Sequence, residues 1–397
     1  MPRKRRSAFF LATAAALLFI PFPAHGTDYY VSSKSGNDAD TGRSPDAAWR
    51  SLARANHATF LPGDHILLHS GETWRGQLRP SSSGTQDLPI VYTSYGLGPR
   101  PMLEGNRGSD SGPTSTPRHA DAASVVDVAI DNNDQSHIVY EDLEIRHVLE
   151  GLRIYVWSAA VQDITLQNSR IQVEAEVPRA PPSAAVYTNV RTGSISQLRI
   201  LGNQLIPYPR GLEHWGIYFV SGVRHFQISD NTLGPAGEDG ITIWHSAFGE
   251  ISHNTGGGNG ENTVDVKDSH DVLISDNDAD LDREYNIVVH TVDDPEATYN
   301  VIVRNNRCWR GGQGGTLSAG IALLFVQRSG IENNAVDFAF GSGILIKDTG
   351  ADRANWASGN RLTGNGTGQD LPAIVLQGAS SARLQENQIL LPAKYPR

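Results

Sequence analysis

Three glutamates stand 23 residues apart, Glu238, Glu261 and Glu284, and the position after them repeats the step as Asp239, Asn262 and Tyr285. Asp265, Lys267 and His290 fall in the same window, with Trp215, Tyr218, Trp244 and His245 around them. Carboxylates, one ammonium, an imidazole and aromatic faces together suit work on a sugar chain. In one chemistry, oxygens of Glu238, Asp239, Glu261 and Asp265 hold Ca²⁺, a hard cation that takes several carboxylates. The ion would bind a uronate carboxylate and acidify the adjacent C–H. A partly neutral Lys267 would then remove that proton, with Asp265, Glu261 and His290 completing the catalytic group of a β-elimination. In a second chemistry, two carboxylates act as acid and base or nucleophile of a glycoside hydrolase, Glu261 pairing with Glu238 or Asp265. Trp215, Tyr218, Trp244 and His245 would line the substrate groove. The plain alternative is a hydrated acidic edge, where screening keeps the repulsion small. An outward Lys267 should be replaceable by Ala without loss of folding.

These residues converge only if the chain coils with a fixed pitch. Asn ends a series of short apolar strands at 168, 203, 231, 254, 277, 306, 334, 360 and 387. A second strand follows most of them, as in Gly240-Ile-Thr-Ile-Trp244, Thr263-Val-Asp-Val-Lys267, Asn286-Ile-Val-Val-His290 and Gly343-Ile-Leu-Ile-Lys347. Gly216-Ile-Tyr-Phe-Val220 aligns with these, which places Tyr218 beside Thr242, Asp265 and Val288. Apolar residues two apart turn inward and their neighbours outward. Strands this short bury a face only by stacking coil on coil, and parallel connections are nearly always right-handed. The expectation is an all-β, right-handed parallel β-helix. Stacked Asn side chains would form ladders and accept the left-handed backbone of a tight turn. At the N-terminal end, Ser44-Pro45-Asp46 opens a short capping helix carrying Trp49, Leu52 and Ala55 on one face.

Composition narrows the class further. Net charge is −10, with Cys308 the single cysteine, so a disulfide framework and a cysteine zinc cluster are excluded. No Lys/Arg cluster follows the first few residues, which argues against a nucleic-acid partner. Arg3 to Arg6, the apolar run Phe9 to Ile20 and Ala24-His25-Gly26 read as a signal peptide over 1–26, leaving 27–397 as a single β-helix domain. Its removal deletes four positive charges and no negative ones, taking the charge to −14. The expected product is secreted or periplasmic, monomeric and without a membrane anchor.

Tyr30-Val31-Ser32, Gly36-Asn37-Asp38, Trp49-Arg50-Ser51-Leu52 and Pro62-Gly63-Asp64, together with the Asn-ended repeats, resemble secreted bacterial proteins of the pectate-lyase-like superfamily. That resemblance implies a β-helix and a polysaccharide partner over most of residues 28–391. It includes lyases, hydrolases, epimerases and non-catalytic surface proteins. In polysaccharide lyase family 9 it implies an acidic cluster Asp-Asp-x-x-Asp, which Glu261-Asn262-Thr263-Val264-Asp265 matches loosely. The family's base Lys lies one coil later, near Val288, where this chain has none. The expected function is a calcium-assisted polysaccharide lyase, with a glycoside hydrolase or a non-catalytic carbohydrate-binding protein as alternatives.

Overall fold

The computed structural model describes residues 26–105, 128–173, 184–205, 218–294, 296–314, 318–348, 353–366, 371–379 and 381–390. The expected signal peptide and Trp215 lie wholly or largely outside them.

Alternating apolar residues wind the chain into a right-handed parallel β-helix. Among the described residues, strands of successive coils stack into a thirteen-stranded sheet, a ten-stranded sheet, and a third face split into five and six strands. Every named strand pairing is parallel. Inside run continuous columns: Tyr218, Ile241, Val264 and Ile287 pair in order on the ten-stranded sheet, as do Val220, Ile243, Val266 and Val289. All eight are fully buried.

This register corrects the sequence alignment by one residue at its first coil. Tyr218 lies opposite Ile241, not Thr242. It points into the core, its hydroxyl 3.3 Å from the Asn231 Oδ1, and is not a substrate-binding residue. Its outward neighbour Phe219 takes the place beside Thr242 and Asp265.

A ladder of buried amides holds the corner between the thirteen-stranded sheet and the third face. Asn231 Nδ2 donates to Asn254 Oδ1 at 2.9 Å, Asn254 to Asn277 at 3.0 Å, and Asn277 to Asn306 at 2.9 Å. Each Oδ1 also accepts the backbone N–H of the preceding rung. The ladder runs from Asn203 to Asn387. Asn168 is not its first rung: Ser169 occupies that place and donates its N–H to Asn203. Nor do the rungs adopt the left-handed backbone. The residue before each does so, among them Gly202, Asp230, His253, Asp276 and Gly359 (φ 56° to 65°). Rung and turn are two separate positions.

The N-terminal cap is two short elements where one helix was expected. A 3₁₀ turn covers Pro45–Ala47 and a five-residue helix Leu52–Asn56, whose first turn is capped by Ser51. Trp49 lies between them, buried and stacked on Tyr29 at 5.2 Å. Trp49, Leu52 and Ala55 all reach the core as expected. Among the described residues no helix is long and apolar enough to cross a membrane.

Asp282 extends a second amide column. Its Oδ1 accepts the Asn259 backbone N–H and Nδ2, and its Oδ2 accepts Thr263 Oγ1 and Asn286 Nδ2. Burial nevertheless pushes it up to about 7, those hydrogen bonds acting the other way. A raised folded value means stability that is present below the unfolded value near 4 and lost as pH rises through about 7. Asp282→Asn keeps an amide where Asn259 stands one coil earlier. Urea unfolding should show the wild type losing on the order of 3–4 kcal/mol between pH 4 and 8 relative to this variant. Parallel pH profiles would remove Asp282 as the cause. Asn254→Ala, which strands donors and acceptors on two neighbouring coils, should cost roughly 2–4 kcal/mol in the same assay.

Candidate functional site

The outer face of the ten-stranded sheet collects the predicted residues, because register carries each strand's outward positions into straight columns. Phe219, Thr242, Asp265 and Val288 make one, and Ser221, Trp244, Lys267 and His290 the next. The glutamates stack on the turn that enters this sheet: the Glu261 N–H donates to the Glu238 carbonyl and the Glu284 N–H to the Glu261 carbonyl, both at 2.9 Å. The structure thus brings Glu238, Asp239, Glu261, Asp265, Lys267 and His290 into two or three adjacent coils.

Asp265 is the centre. It is 2% exposed, with Lys267 Nζ at 2.7 Å from one oxygen and His290 Nε2 at 2.8 Å from the other. Burial alone would raise its pKa, but His290 and then Lys267 hold it below the usual carboxylate range. Opposite an ionised carboxylate, His290 carries its proton on Nε2.

Around that one ionised carboxylate the others shift upward. Asp239, also buried, accepts hydrogen bonds from Thr242 Oγ1 at 2.9 Å and Asn262 Nδ2 at 2.8 Å. Burial, with the charge of Asp265 added, pushes it well above the ordinary range. Half-buried Glu238 rises through burial against the pull of Lys267. Glu261 rises through burial and through repulsion from Glu284, Glu238 and Asp265. One carboxyl group held low and three pushed upward therefore share one face.

Lys267 departs from the expectation of a neutral base. Burial works to lower its pKa, but Asp265, with Asp239 and Glu261 behind it, outweighs burial and holds it above the ordinary lysine value. It is protonated, 19% exposed, and the counter-ion of a buried charge. Removing it alone would not leave folding intact. The expected calcium set also thins, since the oxygens of Asp239 and Asp265 accept protein donors, leaving Glu238 and Glu261. Among the described residues the carboxylates and imidazole whose ligand atoms draw within 4.8 Å of one another are a different group: His245, Asp268 and Asp293. Asp268 there accepts Trp244 Nε1 at 3.1 Å and the N–H groups of Val292 and Asp293, so its oxygens are committed as well.

Trp244 stands beside the charged column, packed edge-on to Phe219 and stacked on His245 with centroids 5.3 Å apart. Lys267 Nζ lies 5.7 Å from its ring centre. His245, half-exposed, forms the rim with Asp293. Sequence reasoning missed Phe219 and Tyr187, which stack at 5.5 Å. Counting period 2 from the apolar pair Tyr218 and Val220 would have found the first. It also missed Asp268, which only folding brings to the indole.

A family model described as "Periplasmic copper-binding protein (NosD)" matches residues 196–390. Over 75 residues the chain is 40% identical to lacto-N-biosidase of Bifidobacterium longum subsp. longum, spanning 18% of this chain and 5% of that protein. In three dimensions the chain is similar to the GH136 lacto-N-biosidase of Eubacterium ramulus. The TM-score is 0.63 at 18% identity, covering 92% of this chain and 68% of that one. A periplasmic alginate epimerase, AlgG, superposes with a TM-score of 0.53 at 12% identity over 83% of this chain and 78% of its own. These likenesses establish the β-helix.

Breaking the buried pair from the cationic side leaves Asp265 with one partner. Lys267→Ala should destabilise by about 3–5 kcal/mol in urea unfolding. Asp265→Asn in the same chain should restore a large part of that loss. If Lys267→Ala unfolds like wild type at pH 7, the pair is a surface contact and not the organiser of the site.

Proposed function

We propose that the protein is an exported enzyme that hydrolyses a glycosidic bond on the outer face of its ten-stranded sheet. The observation that carries this reading is the divergence among the carboxyl groups: Asp265 is held ionised while Glu261 beside it is pushed toward the protonated form. Environments that drive two carboxyl groups apart mark an acid and its charged partner. The short identity with a lacto-N-biosidase supports hydrolysis over other carbohydrate chemistry. The basic and apolar opening of the chain, and the periplasmic family matched by its second half, support export.

In this mechanism Glu261 passes its proton to the departing glycosidic oxygen. Asp265, buried beneath the face with both oxygens held, supplies a fixed negative charge whose field favours the positive charge that develops at the anomeric carbon as the bond opens. Water then adds, its hydroxyl to carbon and its proton back to Glu261. His290 and Lys267 hold the pKa of Asp265 below that of Glu261, which opens a pH window in which the first is charged and the second keeps its proton. Asp239, proton-bearing and bound to Thr242 and Asn262, adds no second buried charge beside Asp265. Trp244 and Phe219 give the apolar wall on which a sugar ring packs.

A calcium-assisted elimination is the second reading, favoured by the stack of Glu238, Glu261 and Glu284, whose repulsion a cation would relieve. Lys267, held protonated, does not suit the role of base there.

A panel of neutral and uronate-containing glycans, assayed for reducing ends and for ultraviolet absorbance with and without EDTA, separates the two. Hydrolysis predicts reducing ends without absorbance and indifference to EDTA. Glu261→Gln and Asp265→Asn should each lower kcat/KM by roughly 10²–10⁴. The pH profile should have its acid limb below the ordinary Asp range and its alkaline limb above the ordinary Glu range. An EDTA-sensitive rise in absorbance on a uronate polymer would replace hydrolysis with elimination.

A further inference from the structure

On the thirteen-stranded sheet, away from the carboxylates, the outer surface carries an open groove of about 610 Å³. A repeated left-handed residue builds it. In consecutive coils one residue drops out of the pairing without shifting the register and turns left-handed: Gln197, His225, Phe248, Asp271 and Asn300, with φ between 54° and 59°. The pairing continues in step on either side, as Arg224 with Ala247 and then Phe226 with Gly249. The side chains of these left-handed residues form one wall. The outward column Arg199, Gln227, Glu250, Leu273 and Ile302 forms the other. At the ~4.8 Å spacing of strands, five coils make a trough running along the helix axis.

Rings line the first wall. His225 stacks on Phe248 with centroids 5.2 Å apart and planes 19° from parallel, Phe248 meets His270 edge-on, and His270 stacks on Tyr299 at 4.6 Å. Arg224 covers part of Phe248 at 4.7 Å. Phe248 remains 39% exposed. A phenylalanine with φ of 59° is a strained choice where Asn or Gly would sit easily. Nothing in the core requires the ring, because it points to solvent. The groove also holds polar groups that are partly unspent: Gln197 on the ring-bearing wall and Glu250 on the facing one make no side-chain hydrogen bond or ion pair among the described residues.

We infer that this trough is a second binding site, for a segment of a neutral glycan chain. The exposed ring of Phe248, extended by His225, offers the flat apolar platform that packs on a sugar's C–H face. Gln197, Gln227, Glu250 and Asn300 offer the mixed donors and acceptors that hydroxyl groups need. Its lining holds a single Arg, Arg199, paired with Asp163, and two carboxylates, Glu250 and the Asp271 held by His270 and Asn300. A polyanion therefore finds no continuous positive track. The trough is open to solvent, so a chain can lie in it. The site stands on its own chemistry and holds whether the opposite face hydrolyses or eliminates.

The test uses full-length protein carrying Asp265→Asn, so that turnover plays no part, in affinity electrophoresis through gels containing neutral glycan polymers. The parent should be retarded by at least one polymer. Phe248→Asn, which suits the left-handed backbone, should melt no lower than its parent yet bind roughly three- to tenfold more weakly. Phe248→Tyr should keep both binding and folding. Parent-like retention of a folded Phe248→Asn variant overturns the proposal, as does a parent that no neutral polymer retards. A dimer that dissociates on Phe248→Asn also overturns it, because the trough would then seat a second copy of the chain. Loss of hydrolysis in the assays of the opposite face leaves this readout unchanged.

Discussion

The amide-to-amide hydrogen bond between Asn residues of successive coils is the constraint on which the rest depends. A short strand cannot bury a face alone, so the molecule exists only as a stack, and a stack needs a device that keeps each coil in register with the next. The Asn ladder supplies it: each buried rung donates both its Nδ2 and its backbone N–H to the Oδ1 of the next. An unpaired amide at that depth would cost about 1–3 kcal/mol. Insertions are therefore absorbed in the turns, and the rungs stay aligned from Asn203 to Asn387 even though their spacing in sequence varies.

Fixed register turns chemistry into columns. Three carboxyl positions separated by 23 residues become neighbours a strand apart, on a wall dry enough for charges to act strongly on one another. A carboxylate stays ionised there only where charge and hydrogen bonds support it, and Asp265 receives the Lys267 ammonium and the His290 Nε2. The remaining carboxyl groups then answer to burial and to that charge, and they rise. The divergence that suits acid-assisted cleavage is a consequence of stacking acids on a solenoid whose cations are few.

Much of this was legible in sequence, and the failures have physical causes. The repeat, the β-helix and the inward apolar pairs follow from period 2 and the recurrent Asn. The glutamate column and the Asp265, Lys267 and His290 set follow from perfect 23-residue steps. Tyr218 was misplaced because a strand reads equally well one residue out of phase, and only hydrogen bonding to Ile241's coil decides the face. Asn168 failed for the same reason: the turn has two adjacent positions, and composition does not tell rung from bend. The protonation of Lys267 could not be read, since it depends on how deeply Asp265 is buried. The trough on the other sheet was invisible, because its wall is a column of left-handed residues, and each one breaks the alternation by which outward residues are counted.

The central claim is that Asp265 titrates below the ordinary carboxylate range while Glu261 beside it titrates above, and carboxyl ¹³C NMR on protein labelled at Asp and Glu side chains reads both directly. Assignments would come from Asp265→Asn and Glu261→Gln. The account predicts that the Asp265 resonance stays at its ionised position down to below the ordinary Asp range, while Glu261 titrates above the ordinary Glu range. Lys267→Met should move Asp265 upward. An Asp265 signal that titrates with or above Glu261 would contradict the account, because no acid and charged partner would then coexist on this face.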